Sequence, residues 1–206
     1  MGELVPFCRQ SLRFIRRACL RDARITILDG SVRSSKTYTM IPKLFFRILP
    51  QLGSKGQGII TGVSKLTIKR NILNDLFEFI GEGNYVYNQS TGELDILGYK
   101  IQVVGAKDEG SEKYIRGGTY AWAYCDELSL MPESFFKQLL NRMSVPNARV
   151  YATTNPDNPL HYLYVEYMTD TVKLSSGMVE VIHYGLDDNL SLSDDYKTFI
   201  RSAYAG

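Results

Sequence analysis

The stretch best suited to chemistry is a loop of small and charged residues between two apolar segments. The loop consists of Gly30, Ser31, Val32, Arg33, Ser34, Ser35, Lys36 and Thr37. An apolar run over residues 25–28 precedes it, and an apolar-periodic stretch continues to Leu49. This order of strand, loop and helix, with its G-x-x-x-x-G-K-[ST] spacing, predicts a phosphate-binding loop. We expect the loop N–H groups and Lys36 to contact phosphate oxygens, and Thr37 to offer its hydroxyl to Mg²⁺.

One residue departs from the loop pattern, because Ser35 stands where a second glycine is expected. Serine is small, so the backbone can still approach a phosphate closely, although less freely than with glycine. A strand-to-helix turn with an N-cap serine and a surface lysine is the alternative interpretation of this segment. The loop alone does not decide between the two.

A second apolar run, residues 120–125, ends in two adjacent carboxylates, Asp126 and Glu127. Carboxylates beside a buried strand are costly unless water, a metal or phosphate chemistry uses them. In P-loop ATPases such a strand delivers an Asp to Mg²⁺, and a neighbouring Glu activates the attacking water. We expect these two roles here, and strand alternation would send the two side chains to different sides. The alternative is that Asp126 caps the helix that runs through Leu139.

A third predicted strand, residues 149–152, ends in three short polar side chains, Thr153, Thr154 and Asn155. Such a tip can sense the γ-phosphate or its water, and Pro156 prevents a helix from starting at once. A polar turn is the simpler interpretation of this segment alone. The order of loop, acidic pair and polar tip favours a nucleotide site.

Other elements must position these residues. Residues 7–24 predict an amphipathic helix with a basic face, which is either solvated or a docking face for DNA or a protein. Residues 58–63 predict a buried strand, followed by a helix over residues 65–80. The first turns of this helix carry three cations: Lys65, Lys69 and Arg70. They follow the carboxyl end of a strand, where a polyanion could be held. The alternative is that they are ordinary surface charges at the start of a helix.

Residues 84–104 predict one or two short strands in a hairpin and then a core strand. Residues 105–118 are polar and rich in glycine, and they predict a mobile loop that contains Arg116. No linker divides the chain, so we expect a single domain over residues 1–206, with a basic helix in 1–24 and a core in 25–206.

Composition excludes several classes of protein. The 206 residues are 44% hydrophobic and 22% charged with a net charge of +2, so any DNA contact must come from a local patch. Three cysteines without a C-x-x-C pair suit a reducing compartment, and two histidines cannot form a His-rich metal site. The sequence predicts neither a membrane span nor a signal peptide, so we expect no membrane partner.

Together these segments resemble the ATPase domain of the large terminase subunit of tailed bacteriophages, over nearly the whole chain. Residues 30–37 resemble its Walker A motif, which commonly carries an arginine and tolerates departures from the consensus. Residues 115–118 before 120–127 resemble the Arg-Gly segment that leads into its Walker B motif. Residues 152–164 resemble its coupling motif, and residues 184–196 resemble the segment that closes the domain.

The resemblance implies an α/β fold: a P-loop NTPase of the RecA-like (ASCE) kind, with a mostly parallel central sheet flanked by helices. It implies a ring motor that uses ATP and Mg²⁺ to drive double-stranded DNA into a procapsid. The implied partners are the portal protein, the small terminase subunit and further copies of the chain. The implied location is the host cell cytoplasm, transiently at the portal vertex. The family's nuclease domain would be expected to begin at Gly206, so we expect no DNA cleavage by these residues. Whether the nuclease continues the chain or is a separate protein stays open.

The resemblance also assigns roles to residues. Loop residues 30–37, with Asp126, Thr154 and Asn155, are expected to bind the nucleotide, and Thr37 and Asp126 to hold Mg²⁺. The expected catalytic groups are Lys36, Glu127 and two arginines. Of these arginines, Arg33 would contact the nucleotide within the subunit, and Arg116 would act as a finger across a subunit boundary.

Three rival functions compete with this one. A helicase-like or repair ATPase would need a second RecA-like domain, for which 206 residues leave no room. A nucleotide-binding assembly module, in which Ser35 has weakened hydrolysis, stays open until ATP turnover is measured. A small-molecule kinase usually carries an arginine-rich lid late in the chain, and residues 170–206 contain only Arg201.

Overall fold

The computed structural model of the chain describes residues 6–31, 33–155 and 158–204. Over these ranges, eight strands form one sheet: β1 (Ile25–Gly30), β2 (Gln57–Gly62), β3 (Tyr85–Asn88), β4 (Glu93–Ile96), β5 (Tyr99–Gly105), β6 (Tyr120–Cys125), β7 (Arg149–Thr153) and β8 (Val179–Tyr184). Their spatial order is β3-β4-β5-β2-β6-β7-β1-β8. The six strands from β5 to β8 in this order pair in parallel, and β3 and β4 add an antiparallel edge.

Helices cover both faces of the sheet. In chain order they are α1 (Arg9–Arg16), α2 (Lys36–Lys43), α3 (Leu49–Leu52), α4 (Lys65–Ile68), α5 (Asn74–Ile80), α6 (Glu133–Arg142), α7 (Thr171–Ser175) and α8 (Asp194–Tyr204). Short π-helical segments, Leu44–Ile48 and Lys69–Leu73, join α2 to α3 and α4 to α5. Each of these pairs is therefore one continuous helical rod. None of the described helices combines the length and the apolar character that a membrane crossing requires.

The central strands are buried along their whole length, as a parallel sheet covered on both faces requires. All residues of β1, β6 and β7 are buried. Side chains along β6 alternate between the two faces of the sheet. Trp122 and Tyr124 pack into the core beneath the α2–α3 and α4–α5 rods, and Ala123 and Cys125 pack into the core beneath α6. The apolar runs of the sequence thus become strands because both of their faces have a helical layer to pack against.

The strand order brings the three predicted functional segments to one place. β7 lies between β1 and β6, and the three strands are parallel. The carboxyl ends of parallel strands meet at the same edge of a sheet. The loop after β1, the acidic pair after β6 and the polar tip of β7 are therefore neighbours, although more than 100 residues separate the first from the last.

Most predicted elements are present, and the differences have identifiable causes. The hairpin of residues 84–104 and the rod of residues 65–80 are confirmed. The predicted helix over residues 7–24 is too long, because α1 ends at Arg16 and Arg17 is extended. Arg17 leaves the helix to bind Asp22 at 2.5 Å, so a tertiary ion pair overrides the local helical pattern. The predicted loop over residues 105–118 contains a 3-10 turn, Glu109–Tyr114.

Candidate functional site

The loop between β1 and α2 has a backbone that most residues cannot adopt. Gly30 has φ +135°, and a Cβ there would lie 1.9 Å from the backbone oxygen of Tyr184 on β8, so the position requires glycine. Arg33 (φ 61°) and Ser35 (φ 68°) are both left-handed. Left-handed residues in a short loop turn successive N–H groups toward one concave side, where an anion binds. Val32 belongs to the predicted loop but lies outside the described residues.

The Lys36 ammonium is buried inside this loop. Its Nζ donates hydrogen bonds to the backbone oxygens of Gly30 and Ser31, both at 2.7 Å, and to the Ser34 hydroxyl at 3.1 Å. The Oδ1 atom of Asn155 at the tip of β7 is a fourth acceptor at 2.8 Å, so the three N–H groups of the ammonium are shared among four oxygens. Lys36 therefore joins the loop to the polar tip.

Burial without a close counter-ion changes the ionisation of Lys36. Burial lowers its pKa to about 8, and the more distant charges of Asp29, Asp126 and Glu127 offset only part of this effect. All four hydrogen-bond acceptors of its ammonium are neutral oxygens. A desolvated cation surrounded by neutral acceptors is the electrostatic complement of a phosphate group.

Asp126 is a buried carboxylate held on two sides. Its Oδ1 accepts a hydrogen bond from the Thr153 hydroxyl at 3.0 Å and a longer one from the Tyr124 hydroxyl at 3.5 Å. Its Oδ2 accepts a bond from the Asn71 amide at 3.2 Å. Burial raises the pKa of Asp126, and bonds from Asn71, Thr153, Tyr124 and Thr37 oppose this rise. The alternative in which Asp126 caps α6 is wrong, because that helix begins at Glu133, after Pro132.

Glu127 lies in a turn after β6, so the strand alternation expected to separate its side chain from that of Asp126 does not apply. β6 ends at Cys125, and Glu127 is left-handed, with φ 51° and ψ 53°. Its backbone N–H donates to the Thr153 hydroxyl at 3.2 Å, which fixes the turn against β7. Burial and the neighbouring Asp126 raise the pKa of Glu127, while Arg70 and Lys36 lower it. A non-glycine residue in this conformation carries strain of the kind that collects at functional sites.

The polar tip of β7 consists of Thr153, Thr154 and Asn155. Two of these residues contact the predicted functional segments, and the third has a hydroxyl without a hydrogen-bond partner among the described residues. Thr153 contacts the acidic pair and Asn155 contacts Lys36, as described above. The Thr154 hydroxyl is buried and has no hydrogen-bond partner within the described part of the chain. A buried orphan hydroxyl is costly, and it lines the cleft where a bound group could satisfy it. Pro156 and Asp157, which continue the tip, lie outside the described residues.

These groups line a single cleft of about 400 Å³ at the carboxyl edge of the sheet. Most loop residues after Val32 face it, together with both carboxylates and the tip of β7. The cleft is also lined by residues that the sequence patterns did not indicate: Tyr38, Asn71, Asp75, Asn189 and Ser191. Asn189 belongs to the segment that resembles the close of a terminase ATPase domain, and its amide donates to the Arg33 backbone oxygen at 2.7 Å. Asn71 has no motif around it, and only the fold shows where it lies.

The two predicted catalytic arginines occupy different places. Arg33 lines the cleft, and its guanidinium lies 5.4 Å from the ring centre of Tyr196 on α8. Arg116 is exposed on the turn before β6, where it forms an ion pair with Glu112, and it does not line the cleft of its own chain. An in-chain contact between Arg116 and the nucleotide therefore has no support in this geometry.

The donors present fit Mg²⁺ better than a metal that needs a protein cage. Asp126 and Thr37 supply oxygen atoms at the cleft, and Mg²⁺ binds through one or two carboxylates together with substrate phosphates. Over residues 6–31, 33–155 and 158–204, no cluster of three or more His, Cys, Asp or Glu side chains could hold a metal alone. A metal at this edge would therefore depend on the nucleotide for its remaining ligands.

The three predicted DNA-contacting cations lie on the α4–α5 rod. Lys65 donates to the Ser90 backbone oxygen at 2.8 Å and Lys69 to the Gln89 side chain at 3.2 Å, so both contact the turn of the β3–β4 hairpin. Arg70 lies closer to the cleft, where its charge acts on Glu127. Their role toward DNA stays a prediction.

Comparison with known proteins identifies the family to which the chain belongs. A family model described as "Phage terminase large subunit" matches residues 22–205. The chain is similar to the large terminase of a thermophilic bacteriophage, which has been solved in two nucleotide complexes. The ADP complex shares 28% identity with a TM-score of 0.85, covering 97% of this chain and 51% of that one. The ATP-γ-S complex shares 26% identity with a TM-score of 0.81, covering 98% and 50%.

A more distant structure supports the fold alone. The large terminase of bacteriophage HK97 is 14% identical with a TM-score of 0.74, and the match covers 100% of this chain and 48% of that one. The chain therefore spans about half the length of the solved terminases that it matches. No curated protein sequence matches it. The predicted P-loop ASCE fold, with its mostly parallel sheet flanked by helices, is confirmed.

Proposed function

Because this chain belongs to the phage terminase large subunit family, we propose that it is the ATPase motor domain of such a subunit. In this role it couples Mg-ATP hydrolysis to the movement of double-stranded DNA into a procapsid. The observation that carries the proposal is the convergence of three strand ends. Lys36, Asp126, Glu127 and Asn155 line one cleft, and Lys36 and Asn155 are in contact at 2.8 Å.

The phosphates of ATP bind to the concave side of loop 30–37. There the Lys36 ammonium exchanges some of its neutral acceptors for phosphate oxygens, and the loop N–H groups add further hydrogen bonds. The related terminase of the thermophilic bacteriophage has been solved with ADP and with ATP-γ-S, which supports a nucleotide in this place. Asp126 and Thr37 hold Mg²⁺, which supplies positive charge to the phosphates when it is bound.

Glu127 is the general base that takes a proton from the attacking water. Its raised pKa brings the carboxylate closer to the value at which a base works best near neutral pH. Of the two acids, Asp126 serves the metal and Glu127 serves the water. Thr154 and Asn155 contact the γ-phosphate or its water, and they report phosphate loss to the segment after β7.

We propose that the chain assembles into a ring in which Arg116 reaches the cleft of the neighbouring subunit. Negative charge spreads over the γ-phosphoryl oxygens in the transition state, and a cation from the neighbour stabilises it. Arg33 contacts the nucleotide within the same chain. Lys65, Lys69 and Arg70 contact DNA phosphates, because packaging must ignore base sequence.

The wider assembly follows from the family. We propose that residues 1–206 form one ATPase domain, with the basic helix in 1–24 and the core in 25–206, and that these residues do not cleave DNA. The nuclease would be a further domain or a separate protein. The portal protein and the small terminase subunit are the other partners, and the motor works in the host cytoplasm, transiently at the portal vertex of the procapsid.

The substitution Glu127→Gln tests the proposed chemistry. The variant should bind a fluorescent ATP analogue like the wild type, while its turnover falls by about 10²- to 10⁴-fold because the base is lost. Glu133→Gln is the matched control, since Glu133 is half-buried, pairs with Lys137 on α6 and does not line the cleft. Unimpaired turnover in E127Q would remove Glu127 from the mechanism. A wild type that binds ATP but never hydrolyses it, at any protein concentration, would instead favour a nucleotide-binding assembly module.

Mixing two inactive variants tests the finger. Arg116→Ala and Glu127→Gln should each show low turnover alone, whereas a mixture should regain activity. In mixed rings, an R116A cleft keeps its Glu127 and receives an intact Arg116 from an E127Q neighbour. A mixture that stays as inactive as its components, although the chains associate, would contradict a role for Arg116 across the boundary.

A further inference from the structure

We propose that Asn71 is a positioning residue, which holds the Asp126 carboxylate in the orientation needed to bind Mg²⁺. Asn71 lies on the α4–α5 rod, outside the loop, the acidic pair and the polar tip. The inference rests on the proposed function, because it concerns the same nucleotide cleft.

The Asp126 carboxylate is fixed by donors from opposite sides. Thr153 and Tyr124 donate to Oδ1 from within the sheet, at 3.0 Å and 3.5 Å. Asn71 donates to Oδ2 at 3.2 Å from the α4–α5 rod. The Thr37 hydroxyl on α2 is a further donor to this carboxylate. Without Asn71, the carboxylate loses its bond from the rod and can rotate more freely about its terminal torsion, which is broad for Asp. The bond from Asn71 therefore determines where the remaining lone pairs point.

The amide of Asn71 is itself oriented by its neighbour. The Nε atom of Arg70 donates to the Asn71 Oδ1 atom at 3.2 Å. A guanidinium can only donate, so the amide oxygen must face Arg70 and the amide NH₂ must face Asp126. The direction of the Asn71–Asp126 bond is thus fixed by chemistry.

The backbone under Asn71 is also built for this contact. Asn71 lies in the π-helical segment Lys69–Leu73, whose wider turn carries the following Ile72 and Leu73 into the core with 0% exposure. Single π turns within helices are frequent at functional sites. The two buried residues anchor the rod directly after Asn71, so its side chain faces the cleft. Partners that orient a metal ligand are typically worth 10- to 100-fold in metal affinity.

The substitution Asn71→Leu removes the amide donor and keeps the number of side-chain heavy atoms and the branch at Cγ. The readout is the Mg²⁺ concentration that gives half-maximal binding of a fluorescent ADP, because ADP binding requires no turnover. We expect the Mg²⁺ concentration at half-maximal binding to rise at least about 10-fold in N71L. The affinity for ADP without Mg²⁺ and the melting temperature should stay near the wild-type values. An unchanged Mg²⁺ requirement in N71L would overturn the proposal.

Two further variants separate positioning from packing. Asn74→Leu makes the same change three residues along the rod, at an exposed position outside the cleft, and should leave the Mg²⁺ requirement unchanged. Asn71→Gln keeps an amide donor and should lie between N71L and the wild type. If leucine is not tolerated, Asn71→Ala removes the same donor without bulk, and it carries the same two outcomes. A wild type whose nucleotide binding ignores Mg²⁺ would contradict the proposed function itself, whereas a normal N71L contradicts only this inference.

Discussion

Two lysines of α2, Lys36 and Lys43, are both buried, yet their surroundings differ. Lys36 begins the helix with 8% exposure, and Lys43 ends it with 0%. The Lys43 ammonium lies 2.8 Å from a carboxylate oxygen of Asp22, and it also donates to the backbone oxygens of Phe14 and Arg17. The Lys36 ammonium, by contrast, donates to neutral oxygens alone.

The difference shows how a structural cation can be told from one that binds a ligand. Burial is the largest cause of a lowered pKa at both lysines, so desolvation does not distinguish them. What differs is the compensation, because Asp22 balances the charge of Lys43 within the folded chain. Lys36 has neutral acceptors arranged around it but no anion at contact distance among the described residues, which leaves its charge available to a phosphate. The same helix thus carries a lysine that is paired within the fold at one end and, in the proposed function, a phosphate-binding lysine at the other.

The largest expected effect is on stability, from Lys43→Met. Breaking a buried ion pair leaves Asp22 partly uncompensated and removes a donor from two backbone oxygens. We expect a loss of about 3 kcal/mol, near the lower end for buried pairs, because Arg17 still contacts Asp22. Unfolding in urea measures this loss, and nucleotide binding by the folded fraction should be unchanged.

A double variant checks that the loss comes from the ion pair. Asp22→Asn combined with Lys43→Met removes both charges, so its destabilisation should be smaller than the sum of the two single losses. If the two losses simply add, Lys43 stabilises the fold by packing and not by its charge, and the contrast with Lys36 fails.

The matched substitution Lys36→Met should have the opposite profile. It removes a desolvated and unbalanced charge, so the stability of the nucleotide-free protein should stay the same or rise. Nucleotide affinity should fall about 10- to 100-fold, because charge-assisted bonds to phosphate contribute roughly 1.5–3 kcal/mol. Titration with fluorescent ADP measures the affinity. Wild-type affinity in K36M would show that the cleft does not hold phosphate at this place.

The pH dependence of stability sharpens the same contrast. The pKa of Lys36 is lowered from its ordinary 10.5 to about 8 in the folded chain. Between these values the unfolded chain keeps the proton and the folded chain loses it, so the unfolded state binds more protons. Stability without nucleotide should therefore rise with pH from about 8 upward, by at most about 1.4 kcal/mol per pH unit from this group. Urea unfolding at several pH values should show this component in the wild type and not in K36M.

The sequence predicts the binding lysine and its partners because each follows a recognisable strand end. Apolar runs mark β1, β6 and β7, and the residues after them are Lys36, the acidic pair and Asn155. Parallel pairing of these strands then brings the residues together. Local patterns could thus predict the strands and which side chains meet at their ends, while the P-loop fold itself is expected from the resemblance to the terminase family.

Other residues could not be predicted, because their roles depend on contacts far along the chain. Lys43 has the local sequence of an ordinary helix lysine, and nothing near it points to Asp22. Asn71 meets Asp126 across 55 residues. The end of α1 is set by Arg17, which binds both Asp22 and Glu180. Arg17 and Glu180 are 163 residues apart in the sequence. A local pattern carries no information about such partners.

The smallest expected effect concerns the loop that presents Lys36. Ser35 precedes α2 with φ 68° and ψ 15°, a left-handed conformation that costs an L-residue about 1–2 kcal/mol. Glycine avoids this strain but makes the unfolded chain more flexible, at a cost of about 0.5–1 kcal/mol. Ser35→Gly should therefore stabilise the protein by up to about 1 kcal/mol and keep nucleotide binding. Ser34→Gly is the control, because Ser34 is not left-handed and should only lose stability. If S35G is as destabilised as S34G, the serine contributes something beyond tolerating the turn, and the loop is not simply a glycine loop with one substitution.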